Sequence, residues 1–219
     1  MLFRVMWIPI ARFGNVLRFA AVLITATQVV AAIVGVQVGL ADWPQAAGPH
    51  GDFIVEGEAP TRFSVSLDKN VLWKVPLPST GQGAVIVSGD RLFLTSHEAI
   101  EADAEMGAVI LGMCFDANTG QERWRRELAG VRETDLSSLF SDNTAASPVA
   151  NSDSVCFVNV GGSIQCFGHE GDLRWMDRWT PFGRHHSRQH EPILFDDGVI
   201  IARVTPSDLP VVVTTKEGA

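Results

Sequence analysis

Apolar residues in this chain come in short runs that alternate with polar ones and stop at glycine, asparagine or aspartate. Runs of this length and period predict β-strands joined by tight turns. Ala84–Val87 and Arg91–Ser96 flank the hairpin turn Ser88-Gly89-Asp90, and Ala108–Phe115 and Gln121–Glu127 follow. Further strands are expected near Ala145–Ala150, Val155–Val160, Ser163–Phe167 and Asp172–Met176. A last group holds Pro192–Phe195, the turn Asp196-Asp197-Gly198, Val199–Val204 and Val211–Thr215. Asn70–Val75 reads as a lone strand ahead of them all. None of these runs has a helical period. The polar connection Gly130–Asp142 has room for one helical turn.

Two turns share a figure. Asp116-Ala117-Asn118-Thr119-Gly120 leads to Trp124, and Gly168-His169-Glu170-Gly171 leads to Trp175. In both, the tryptophan comes four residues after the turn glycine. Asp116 and Asn118 can bond their own backbone, and Gly120 can take the positive φ that closes such a turn. Trp73, Trp124 and Trp175 are each 51 residues apart. Self-similarity at this period, with four short strands per unit, predicts an all-β fold of four-stranded antiparallel propeller blades. The expected organisation is a leader over 1–41, an extended mature N-terminus over 42–69, and two full blades plus partial ones over 70–219. The third unit reaches the turn Lys216-Glu217-Gly218, whose tryptophan would fall at position 222, beyond Ala219. The propeller is therefore expected to be incomplete, a truncated product or fragment.

Charge and targeting change the picture next. Residues 1–41 hold Arg4, Arg12 and Arg18 and no acid, leaving 14 basic against 25 acidic groups in the rest, a net charge of −11. Without a basic stripe to neutralise phosphates, nucleic acid is not an expected partner. The three arginines precede the apolar run Phe19 to Leu40, and Gly39-Leu40-Ala41 offers small residues at both positions a signal peptidase reads. The run is long enough to span a bilayer. It is expected to be either a cleaved signal or an uncleaved anchor, so any membrane contact is through residues 19–40. Either form exports the body to a periplasmic or extracellular space.

Three cysteines in an exported chain leave at least one unpaired. Cys156 and Cys166 flank the turn at Gly161-Gly162. A two-residue turn sets them on opposite faces, and a three-residue loop including Ser163 sets them on one face. Cys114 and Cys166 both end a strand, and the favoured expectation is reduced cysteine acting as a small core hydrophobe.

With these residues in view, Asp116-Ala117-Asn118-Thr119-Gly120 and Trp124 resemble the tryptophan-docking turn of the pyrroloquinoline-quinone (PQQ)-type β-propeller repeat, written A-x-D-x-x-T-G-x-x-x-W. Cys114 stands in the alanine position. The second turn is one residue shorter, with Gly168 for the aspartate and Glu170 for the threonine. Trp43-Pro44-Gln45, with Gly48-Pro49 and Gly51-Asp52, resembles the opening segment of exported bacterial members. The resemblance implies that Trp73, Asp116, Thr119, Gly120, Trp124, Gly171 and Trp175 form a structural docking motif between neighbouring blades. It implies either a binding or assembly scaffold, or a piece of a quinoprotein dehydrogenase acting on alcohols or sugars. Only the second brings PQQ and calcium as cofactors. The chain has no Cys-Cys pair and no assignable calcium set, so no catalytic residue carries over and the scaffold is favoured.

Other chemistry is sparse. His185, His186, His190 and Glu191 are the densest metal-ligand cluster, but Arg184 and Arg188 among them oppose a cation, and a polar loop is the expected reading. Residues 97–107 read as an acidic, solvated excursion without the spacing of a calcium loop. An unclosed propeller leaves open strand edges, which are expected to bind a protein partner or a second copy.

Overall fold

The structure, a computed structural model, describes residues 42–54, 57, 61–98, 108–132, 142–182, 190–195, 198–204 and 210–215. The predicted leader, most of the acidic stretch, most of the polar connection, His185, His186 and the turn at 216–218 lie outside the described residues. Residues 40–219 group as one compact unit, and every strand named here belongs to it.

Eleven strands form three antiparallel sheets among the described residues. The first is β1 (Ile86–Ser88), β2 (Arg91–Ser96), β3 (Val109–Asp116) and β4 (Glu122–Ala129), in that spatial order. The second is β5 (Val149–Ala150), β6 (Ser154–Asn159), β7 (Ser163–Gly168) and β8 (Leu173–Arg178). The third has β9 (Ile193–Phe195), β10 (Gly198–Val204) and β11 (Pro210–Thr215). Each strand pairs with its chain neighbour, as a meander joined by tight turns must. These are two four-stranded blades and three strands of another, the open β-propeller architecture that the strand pattern predicts.

Both faces of a blade are buried, so β3 reads as a nearly unbroken apolar run. Ile110 and Cys114 point to the second blade, where they join Phe93, Trp124, Leu128, Val155, Phe157 and Phe167 in one cluster. Leu111, Met113 and Phe115 point the other way, with Leu94, and Val75 packs over them. Gly112 lies where a Cβ would come within 3.1 Å of the Phe157 ring, so the two blades meet closely at this residue. Across the next interface, Cys156, Val158 and Ile164 of the second blade pack on Val199 and Ile201 of the third.

Three expectations need correction. Asn70–Val75 is not a ladder strand: among the described residues no strand lies beside it, and only Ser64 and Lys69 form an isolated bridge nearby. Cys156 and Cys166 are disulfide-bonded rather than reduced. The loop between β6 and β7 is Val160-Gly161-Gly162, which sets Cys156 directly opposite Cys166 with their Cα atoms 4.0 Å apart. Cys114 is the free cysteine, fully buried, and burial pushes its thiol up to about 12. Finally, His97 is not solvated. It is buried, with Nε2 at 3.2 Å from Oδ2 of Asp142.

Candidate functional site

The turn and tryptophan figure has a defined geometry in both blades. Asp116 Oδ1 accepts from the Asn118 amide, the Thr119 amide and the Thr119 hydroxyl at 2.9–3.0 Å. Gly120 closes the turn at φ 73°. Over it lies Trp73, whose Nε1 donates to the Ala117 carbonyl at 2.9 Å. A Cβ on Gly120 would stand 2.6 Å from that indole. One blade on, Trp124 repeats the arrangement: its Nε1 donates to the His169 carbonyl at 2.8 Å, and Gly171, at φ 83°, lies under its ring. Each tryptophan thus reaches a turn 44 or 45 residues further along, in the blade that follows. Trp175 is half-buried and packs against the cluster shared by the second and third blades.

A β-bulge precedes each tryptophan of the complete blades. Cys114 pairs with Trp124 but Phe115 pairs with Glu122, so Arg123 is the extra residue. Cys166 pairs with Trp175 but Phe167 pairs with Leu173, so Arg174 is. A bulge bends its strand and increases the local twist where the tryptophan leaves for the next blade. Arg123 then folds back onto its own turn, at 2.5 Å from Asp90 and 2.6 Å from Asp116. In the second turn Glu170, in place of the threonine, reaches across the interface to Arg91 at 2.5 Å. The Arg126 guanidinium also crosses, donating from Nε to the Gly171 carbonyl at 2.8 Å.

The hydrogen bond from Arg123 holds the Asp116 carboxyl down at about 2, against desolvation and with help from the Thr119 and Asn118 donors. A carboxylate depressed in the folded state stabilises it above the ordinary value of 3.8 and loses that effect as pH falls towards 2. Asp116→Asn is therefore expected to lower the urea midpoint at neutral pH, with the two proteins converging between about pH 4 and pH 2. An unchanged gap at pH 2 would show that the turn is held by something other than the charge.

A second polar set lines the entrance of the inner strands, and sequence reasoning missed it. The Ser147 hydroxyl accepts from the Ala84 amide at 2.8 Å and donates to Glu191 at 3.1 Å. The Ser147 amide donates to the other Glu191 oxygen at 2.8 Å. One serine therefore ties three blades. Nearby, the Asp142 carboxylate accepts from Thr144 and faces His97. Burial pushes that carboxyl up, but the His97 ring and the Thr144 donors outweigh it and the net shift is downward. Asn159 makes the matching tie at the other strand end, donating from Nδ2 to the Ala108 and Leu128 carbonyls at 2.8 and 2.7 Å. Of the candidate metal cluster, Glu191 is engaged by Ser147 and His190 is exposed. His185 and His186 lie outside the described residues, and among the described residues no three ligand-type side chains converge.

These contacts tie blade to blade in a propeller. Residues 111–209 match the family described as outer membrane protein assembly factor BamB. Among solved structures, the crystal structure of BamB from Moraxella catarrhalis is similar at 14% identity with a TM-score of 0.34, over 67% of this chain. The chain spans 49% of the length of that structure. No curated protein matches.

Proposed function

We propose that this chain is an exported β-propeller scaffold that works by binding protein. Residues 1–41 act as signal or anchor, 42–69 as the mature N-terminus and 70–219 as the repeat body. The observation that carries the reading is the exposure of large apolar residues ahead of the first blade: Phe53, Ile54, Phe63, Val65, Leu67 and Leu72 are each more than half exposed. Large apolar side chains left this exposed favour a protein-binding surface, which would cover them. Two further features support it. The Cys156–Cys166 disulfide suits an oxidising compartment outside the cytoplasm. The description of the matched family, an outer membrane protein assembly factor, suggests a partner in the cell envelope.

Trp73, Asp116, Thr119, Gly120, Trp124, Gly171 and Trp175 serve in this reading as the docking motif that holds the blades in register for the partner. The test is fractionation of cells expressing the full chain, followed by cross-linking from cysteines placed at Phe63 and Leu67. Cross-links to one envelope protein, or to a second copy of the chain, are expected from the exported fraction. A cytoplasmic chain with all three cysteines free, or no cross-linked species at all, would refute the proposal.

A further inference from the structure

Asp42 to Gly48 crosses the inner edges of all three sheets. Trp43 exchanges two backbone hydrogen bonds with Val87 of β1, both 2.9 Å. The Ala150 amide of β5 donates to the Pro44 carbonyl at 2.9 Å. The Leu194 amide of β9 donates to Oε1 of Gln45 at 3.1 Å. Three consecutive residues therefore satisfy three different blades. Ahead of them, Asp42 accepts from the Gly89 amide at 2.7 Å, which anchors the segment at the β1–β2 turn.

The segment also holds its own shape. Nε2 of Gln45 donates to the Gly48 carbonyl at 3.0 Å, and the Gly48 amide returns a bond to the Gln45 carbonyl at 2.9 Å. Gly48, at φ 80°, lies where a Cβ would be 3.0 Å from the Trp43 ring. Each residue type fits its place. Inner edge strands present unpaired N–H groups that need an acceptor. Pro44 offers a carbonyl without a competing donor. Gln45 alone has a side chain that can accept from one blade while donating within its own turn.

We propose that the inner edges of β1, β5 and β9 form a peptide-acceptor site, and that Asp42–Gly48 is its resident ligand, clasping three blades. At Val87 the pairing is that of an added strand, and β5 and β9 each contribute one amide. The site takes a peptide with a tryptophan, a proline and a glutamine in succession, paired as a strand at the tryptophan and turning after the glutamine.

Amide hydrogen exchange on the full chain tests it. In the unsubstituted protein the amides of Val87, Ala150 and Leu194 are expected to open together. In Gln45→Ala all three should exchange about fivefold faster, the equivalent of one hydrogen bond. Met113 and Cys114, deep in β3, should be unaffected. A synthetic peptide of residues 41–51, added in excess, should restore the slower rates. Trp43→Ala supplies a second variant, in which the same three amides are expected to be released. Unrelated rates for the three amides, unchanged protection in both variants, or a uniform loss that includes β3 would each overturn the clasp.

Discussion

Trp124→Ala is expected to lower the stability of the chain by about 3–5 kcal/mol, among the largest effects of any single truncation. Trp124 is only 8% exposed and belongs to its own blade and the next at once. Its ring centroid lies 5.9 Å from Phe93, 6.1 Å from Phe157 and 6.0 Å from Phe167, at tilted or edge-on angles that suit aromatic quadrupoles. Removal would leave a hole between blades that two packed sheets can close only in part. It would also strip the His169 carbonyl of its donor and leave the Arg126 guanidinium without the ring it lies over at 5.6 Å. Urea denaturation of the variant gives the value. Trp124→Phe, which retains an aromatic ring but not the N–H, should lose much less. A cost below about 1 kcal/mol for the alanine variant would mean that the blades are held together elsewhere.

The second large effect is the loss of the disulfide. Replacing Cys156 and Cys166 together by alanine is expected to cost about 2–3 kcal/mol, from a cross-link that closes a loop of this size in the unfolded chain. The pair is buried at the interface with the third blade, beside Val199 and Ile201, so the lost sulfur volume adds to the effect. Two readouts separate the contributions. Reduction of the unsubstituted protein keeps the packing and removes the cross-link, and the double variant removes both. Thermal midpoints that fall less on reduction than on substitution are the expected order. No change on reduction would mean that the thiols are not paired in the folded chain.

The strands and the tryptophan turns were legible because they are local. Period-2 alternation marks the strands, and a glycine at positive φ closes each turn, so β2 through β4 and β6 through β8 lie within two or three residues of their expected bounds. The disulfide was not legible for a different reason. Whether Cys156 faces Cys166 depends on one residue of loop length, and a slip of one residue moves a side chain to the opposite face. The chain holds Val160 in the loop as well as the two glycines, and that decides the pairing. His97 looked like part of an acidic run. Its burial depends on Asp142, 45 residues on, and nothing in the local pattern records that.

The same applies to the inner-edge contacts. Ser147 and Glu191 are ordinary residues in ordinary turns, and only the packing of three blades brings them together. Trp43-Pro44-Gln45 was visible as a resemblance and silent about its role, because its partners lie up to 149 residues away. Asn70–Val75 shows the converse failure. Its alternation is that of a strand, but a strand needs a neighbour, and Trp73 instead reaches its turn from an irregular segment.

The most direct measurement is a double-mutant cycle across the first blade interface, using Gly171→Ala and Trp124→Leu. Gly171→Ala forces a side chain into positive φ, at about 1–2 kcal/mol, and also drives its Cβ to 2.9 Å from the indole. If the tryptophan docks on that turn, the steric part disappears once the indole is gone. Gly171→Ala should then cost at least 1 kcal/mol less in the Trp124→Leu background than alone. Strict additivity of the two substitutions would contradict docking between neighbouring blades, and with it the arrangement on which the proposed scaffold rests.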